Sequence, residues 1–344
     1  MGKRGVKGDA VVAICKRNPD KPTLWISKRL HAKHPGLFPT VASARDLVRY
    51  HRNERLDRTA NDPIERTCDN STRNMLARIP KTSAKKRDPF VIHGAQRILR
   101  LSDIHFPIHD EAALGAALNH GKEYDPTIIL LDGDVADLHD FMRHEKRSMK
   151  RYVREEVGCI VSFFDLLREE FPKARIIWKE GNHEERLRAY LISNAPALMD
   201  AEDEDDEDDE IFDLPGFVRL VSKRMDATLG VEWVNNKRII RAGELSIIHG
   251  HELGRGGGGV NPARWLFLRT GENAICGHFH RTSEHSEPSL SRKQRGAWST
   301  GCLCDLSPEY MPENKWNHGF ATIDVDADGG FMVSNHRIID GRVR

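Results

Sequence analysis

Five short apolar runs, each broken off by a cluster of histidine, aspartate and asparagine, constrain this chain more than any other feature. RILRLS leads to Asp103-Ile104-His105, TIILL to Gly133-Asp134, ARIIWK to Gly181-Asn182-His183-Glu184, LSIIHG to His249-Gly250-His251, and NAIC to Gly277-His278-Phe279-His280. Runs of this length and composition read as buried β-strands. Polar groups on the loops behind such strands can converge on one point, as ligand sites in open α/β sheets do. No single piece is rare, and one histidine at a strand end is usually a surface residue. Five pieces in order, each behind an apolar strand, are hard to obtain by chance.

The residue types point to metal ions. Mixed imidazole and carboxylate ligands suit first-row metals such as Mn, Fe, Ni or Zn, whereas Mg or Ca would want oxygen throughout. A two-metal site needs divalent cations roughly 3.5–4 Å apart. An aspartate can bridge them, since both its oxygens carry lone pairs. Asn182 offers a neutral amide oxygen, which limits negative charge beside an anionic substrate. Asp-x-His and His-x-His place alternate side chains of an extended segment on one side. The glycines before Asp134, Asn182 and His278 permit tight, left-handed or crowded backbone.

In this pattern the chain resembles the calcineurin-like metallophosphoesterase superfamily, whose elements D-x-H, GD-x-x-D, GNH-E/D, H and GH-x-H are all matched from about residue 97 to the C-terminus. The resemblance implies one metal held by Asp103, His105, Asp134 and His280. It implies a second held by Asp134, Asn182, His249 and His278, with Asp134 as the bridge. His183 would be the general acid or the histidine that orients substrate, itself oriented by a carboxylate such as Asp103 or by a backbone carbonyl. Asp137, closing GD-x-x-D, and Glu184 would support the ligands or substrate. His251 is left open: His249 is preferred as ligand because it ends the strand, and His251 either touches substrate or is exposed. The implied fold is α/β, with two mixed sheets sandwiched by helices in four layers. The implied reaction is phosphoester hydrolysis by a water activated between two metals. The tail Gly301-Cys302-Leu303 with Trp316-Asn317-His318-Gly319 resembles members from phages and prophages.

Composition narrows the setting. The chain has 344 residues, 39% hydrophobic and 31% charged, with no apolar run of membrane-spanning length. The apolar stretch near the N-terminus is too short for a signal sequence. Six cysteines without a CxxC pair fit free thiols in a reducing cytoplasm, that of the host if the chain is phage-encoded. The small net charge hides a split. Residues 1–100 carry 23 Lys and Arg against 9 Asp and Glu, and residues 101–344 carry 30 against 43. Such asymmetry hints at a polyanion-binding appendage.

Residues 1–90 read as that appendage, a small mainly helical module, with residues 91–344 as the catalytic domain. A candidate helix over Leu24–His34 is followed by a second, capped by Thr40 or Ser43, whose Val41, Ala44, Leu47 and Val48 keep helical spacing. Arg45, Arg49, Arg52 and Arg55 line another face of it, the outline of a helix-turn-helix reaching DNA. Residues 57–90 read as a polar linker. Beyond them, helices are expected at 111–121, with Gly121 as cap, within about 148–170, from near His183, and around 261–270. Strands are expected at 97–102, 127–131, 174–179, 231–241, 244–249, 273–277, 296–303, 319–325 and 331–338. The acidic run 202–210 reads as a solvated loop. The Gly256–Gly259 stretch lacks the Gly-Lys-Ser/Thr of a phosphate loop and could carry Arg255 to a phosphate. The functional expectation is a metal-dependent nuclease or phosphodiesterase acting on DNA. The alternatives are a phosphomonoesterase on protein, nucleotide or small-molecule phosphate, and a DNA-binding regulator with a vestigial catalytic domain.

Overall fold

The computed structural model describes residues 6–18, 21–51, 79–80, 84, 87–142, 153–199, 213–235, 237–254 and 261–344. The chain divides into two compact units, Met1–Lys85 and Lys86–Arg344.

The first unit packs three helices, α1 (Val6–Arg17), α2 (Thr23–Lys33) and α3 (Val41–His51), around Val11, Ile26, Leu30, Phe38, Ala44 and Val48. Thr40 stands immediately before α3, as expected of one of the two candidate caps. Its Oγ1 accepts from Ser43 N at 3.1 Å, and its own N–H donates to Ser43 Oγ at 3.3 Å, a reciprocal arrangement that satisfies two orphan donors. Helix α1 was not expected, because its apolar stretch is short. Ala10, Val11, Ile14 and Cys15 nevertheless have helical spacing and meet the core. Seven residues, 34–40, separate α2 from α3, more than the three or four of a helix-turn-helix. Arg45 and Arg49 are half-buried, while Lys28, Arg29 and Lys33 on α2 are exposed. Arg52, Arg55, the acidic run 202–210 and Arg255 lie outside the described residues.

The second unit contains two mixed sheets. The seven-stranded sheet runs β13-β12-β11-β2-β3-β4-β5. Its parallel centre is β2 (Gln96–Leu101), β3 (Ile128–Asp132), β4 (Arg175–Lys179) and β5 (Val231–Val234), extended antiparallel by β11 (His318–Val325), β12 (Phe331–Ile339) and β13 (Arg342–Val343). The six-stranded sheet runs β1-β6-β7-β8-β10-β9, formed by β1 (Phe90–Ile92), β6 (Ile240–Ala242), β7 (Leu245–Ile247), β8 (Ala274–Cys276), β10 (Gln294–Ser299) and β9 (Ser283–Pro288).

Alternation along the strands sorts their side chains into layers. Ile98, Ile128, Leu130 and Ile177 face inward and pack on Ile240, Leu245, Ile247 and Ile275 of the other sheet. Leu99, Leu101, Ile129, Leu131, Ile176 and Trp178 face outward, in a core shared with α4 (Glu111–Tyr124), α5 (Val153–Glu170) and α8 (Leu214–Ser222). Two short helices, α6 (Glu185–Asn194) and α7 (Pro196–Met199), precede α8. Helix α9 (Pro262–Thr270) puts Leu266 against Ala274, Cys276 and Ala297 on the far face of the second sheet. The result is the expected four layers of helix, sheet, sheet and helix. No helix among the described residues is long and apolar enough to cross a membrane.

Several local expectations are corrected. Helix α4 does not end at Gly121 but continues to Tyr124 and is capped by Asp125 in the left-handed region, with φ of 51°. Gly121 lies inside it, where a Cβ would press on Leu99 and Phe171. The single strand expected over 231–241 is two, β5 and β6, in different sheets. Helix α6 starts at Glu185, after a turn that contains His183. The strand expected through 303 stops at Ser299. Strand β9 was missed because SEHSEP has no apolar alternation. Helix α8 was missed because Pro and Gly in its first turn read as breakers. Proline is tolerated there, and Asp213 caps the helix by accepting from Gly216 N at 2.6 Å.

Candidate metal centre

Strands β2, β3 and β4 are parallel neighbours, so the turns after them emerge side by side, and the turns after β7 and β8 meet them from the other sheet. Five residues in these turns, Asp103, His105, Asp134, His278 and His280, have positive φ between 53° and 66°. Non-glycine residues rarely adopt this conformation, and it persists only where surrounding structure imposes it. Glycines supply the remaining tight places. Gly133 has φ of 81°, and a Cβ there would strike the His249 ring. A Cβ on Gly181 would strike Asp134. The two turns are therefore in backbone contact distance, as the Gly-Asp and Gly-Asn pairs suggested.

The predicted ligands come together in two groups that share Asp134. In one, His280 Nε2 lies 3.2 Å from Asp103 Oδ1 and 3.3 Å from His105 Nε2, which is 3.8 Å from Asp134 Oδ2. In the other, His249 Nε2 lies 3.2 Å from Asp134 Oδ2 and 3.2 Å from Asn182 Oδ1, and His278 completes a group with Asp134 and His249. The second ring nitrogens are engaged elsewhere. His249 Nδ1 donates to the Asp132 carbonyl at 2.8 Å, His105 Nδ1 is 3.5 Å from Asp137 Oδ1, and His280 Nδ1 faces Cys304 Sγ at 3.9 Å. Partners of this kind fix the ring so that Nε2 points at a metal. The donor set and its orientation fit two divalent ions.

The charges agree. Burial alone would raise the pKa of Asp103, Asp134 and Asp137, but the surrounding imidazoles outweigh it and hold all three below the usual range. Burial would lower His280, yet Asp103 beside it lifts it to about 10, and Asp134 and Asp103 likewise lift His249. His278 is held down to about 4, first by burial and then by His249.

His183 differs from the other histidines in that both nitrogens have close partners outside the two groups, although Nε2 is also 3.7 Å from Asp134 Oδ2 and the ring forms a further cluster with His105 and Asp137. Nδ1 is 2.9 Å from the Asp137 carbonyl, and Nε2 is 2.8 Å from Arg186 Nη2. A guanidinium can only donate and a carbonyl can only accept, so the ring is the neutral Nδ1–H tautomer. Burial foremost, with His105 and Arg186, holds its pKa down to about 4. The carbonyl that orients it belongs to Asp137; Asp103 is engaged with His278 N and His280 instead.

Glu184 and His251 take supporting places. The buried Glu184 carboxylate accepts from Asp134 N and Val135 N at 2.8 Å, Gly181 N at 2.9 Å and Ala136 N at 3.1 Å. It clamps the β3 and β4 turns together and does not face substrate. His251 is neither exposed nor among the ligands: Nε2 lies 3.1 Å from Glu185 Oε1, which also meets Lys237 at 3.2 Å.

Beneath the centre lies a buried charged layer absent from the sequence reading. Arg100, Asp132 and Lys179 occupy inward positions at the ends of β2, β3 and β4. Arg100 pairs with Asp132, and Lys179 with Glu252. Glu252 also accepts from His249 N at 3.0 Å and Gly250 N at 2.6 Å, fixing the turn that presents His249. Arg186, Cys304 and Tyr310 were missed as well, and Trp316 was noted only as part of the tail motif. Arg186 had a sequence signal, its place three residues after His183 at a helix start, where i and i+3 share a face.

The family model described as calcineurin-like phosphoesterase matches residues 96–282, and the chain belongs to that family. Gene 54 protein of Mycobacterium phage L5 is 26% identical over 269 residues, covering 72% of this chain and 98% of the relative. Among solved structures, Vacuolar Protein Sorting 29 from Cryptosporidium parvum aligns with 73% of this chain and 95% of its own, at 12% identity and a TM-score of 0.37. Yfce, a phosphoesterase from E. coli, aligns with 70% of this chain and 97% of its own, at 11% identity and a TM-score of 0.31.

Proposed function

We propose that residues 86–344 hydrolyse phosphodiesters with two divalent transition metals, and that the substrate is DNA. The observation that carries this reading is the shared position of Asp134 between two groups of buried imidazole and carboxylate ligands. Asp103, His105, Asp134 and His280 would hold one ion, and Asp134, Asn182, His249 and His278 the other. Bound there, the ions would supply Lewis-acid polarisation of a phosphoryl oxygen and a water of lowered pKa. Mn is the metal we place first, with Fe, Ni or Zn as alternatives, given the mixed donor set.

The chain's own groups do the rest. Of the two roles open to His183, its neutral tautomer supports orientation. It accepts from Arg186 and so holds the guanidinium at the rim, where it can meet charge that grows on the phosphoryl oxygens. Asp137 sets both residues, since its carbonyl also accepts from Arg186 Nη1 at 2.6 Å. DNA is favoured over a protein or small-molecule monoester by the positive balance of residues 1–100 and the exposed Lys28, Arg29 and Lys33 on α2. Purified full chain should be assayed on a chromogenic monoester, a chromogenic diester, and single- and double-stranded DNA, each with Mn, Fe, Ni and Zn. Metal-dependent cleavage of the diester and DNA is expected. Turnover of the monoester alone would move the monoesterase ahead. No turnover with two metals bound would leave the regulator reading.

A further inference from the structure

The segment after Cys304 forms a wall beside the metal centre that the proposed chemistry does not use. Trp316 stands edge-on to His280, with ring centres 4.1 Å apart at 65°. Tyr310 follows at 6.1 Å and 61° from Trp316. Asn317 N donates to the His280 carbonyl at 2.9 Å, so the wall is tied to the ligand turn. Asn314 fastens the loop from within. Its Nδ2 donates to the carbonyls of Leu306 at 2.7 Å and Met311 at 2.8 Å, and its Oδ1 accepts from Trp316 N at 2.8 Å. Holding the loop therefore does not require an aromatic ring at its tip, yet Tyr310 is there and 50% exposed. Burial of part of the ring, then the charges of Cys304, Asp137 and Asp134, raise the pKa of its hydroxyl, with Arg186 opposing them. Through Trp316, Tyr310 stands one aromatic ring away from His280 of the centre.

We infer that Tyr310, backed by Trp316, is a stacking platform for a nucleobase, and that the centre takes a nucleotide unit whose base is splayed out of any duplex. This inference rests on the phosphodiesterase reading above and names its substrate class. A half-exposed aromatic ring beside a phosphoester centre offers its π-face to any base, which gives affinity without sequence preference. Arg186 at the same rim can meet the phosphate. The aryl ring of a phosphotyrosine could use the same face, but the positive balance of residues 1–100 favours nucleic acid.

Two measurements on the full chain test it. The first compares kcat/KM for the nitrophenyl ester of thymidylate with that for methyl nitrophenyl phosphate, which has the same leaving group and no base. A preference of about 5- to 150-fold for the nucleotide is expected, the range of one stacked base. Tyr310→Ala should collapse the ratio toward one, and Tyr310→Phe should keep it. The second titrates metal-free protein in chelator by calorimetry with a thymidine dinucleotide, its abasic counterpart and a phosphotyrosine peptide. Tighter binding of the dinucleotide, lost in Tyr310→Ala, supports the platform even if neither ester is hydrolysed, a result that would sink only the catalytic reading. Hydrolysis of both esters at a ratio near one, unmoved by Tyr310→Ala, overturns the platform and leaves catalysis standing. Tyr310-dependent binding of the peptide alone also overturns it.

Discussion

Glu184 offers the most direct test of how the centre is assembled. Its two oxygens receive four backbone N–H groups, two on each oxygen. Oε1 takes Val135 and Ala136, and Oε2 takes Asp134 and Gly181. Burial and the neighbouring Asp134 push its pKa up, while the backbone donors pull it down. Four donors and no available acceptor require the carboxylate form. In Glu184→Gln one oxygen becomes an NH2 group. Two buried N–H groups then face a donor, at about 1–3 kcal/mol each, or about 2–6 kcal/mol in all. That is a large part of the 5–15 kcal/mol that ordinary domains possess. Five of the six tryptophans lie beyond residue 85, so urea unfolding followed by tryptophan fluorescence reports chiefly on the affected unit. The midpoint should fall by the corresponding amount. Metal content should fall with it, because the clamped turns carry Asp134 and Asn182. A Glu184→Gln protein within about 0.5 kcal/mol of the parent, with full metal content, would refute the clamp.

The remaining predictions concern single groups. Asp134→Asn should abolish hydrolysis and lower metal content measured by elemental analysis; full activity with two metals per chain would remove it from the bridge. His183→Ala should keep both metals and lose rate through a misplaced Arg186, so the Arg186→Ala and double variants should be about equally slow; additive losses would separate the two residues. His280 and His249 hold pKa values above the usual imidazole range, so at neutral pH each carries a proton that a metal must displace. Metal affinity should therefore rise with pH across the neutral range, with proton release seen by calorimetry in buffers of different ionisation enthalpy; a flat affinity would contradict it. If the first unit binds duplex DNA, replacing Lys28, Arg29 and Lys33 should weaken binding and flatten its salt dependence more than replacing Arg45 and Arg49 does, and the reverse order would restore α3 as the contacting helix.

The sequence displayed the candidate ligands but not what holds them. Asp103, Asp134 and His280 stand beside glycines or other ligand types in short motifs, and apolar strands before them say where they must emerge. The supports lack that signature. Arg100, Asp132 and Lys179 sit inside apolar runs where alternation alone cannot tell an inward charge from an exposed one. Glu252 and Cys304 belong to no motif: Glu252 meets Lys179 of the other sheet, 73 residues earlier, and Cys304 meets His280, 24 residues earlier. The same limit applied to β9 and α8, whose polar or Pro-Gly sequences are decided by partners rather than propensity.

The charged layer under the centre has a consequence for how this protein can change. Replacing a buried ion pair with well-packed apolar residues is often neutral or stabilising, yet the Lys179–Glu252 pair is not open to that exchange. Glu252 is also what anchors the His249 turn. An apolar residue there would free two backbone donors at the edge of the ligand set and loosen the histidine they position. Those two donors, left without an acceptor, would cost about 1–3 kcal/mol each, so stability and the placement of His249 depend on the same carboxylate. A library of variants screened for melting temperature alone should therefore keep an acid at position 252.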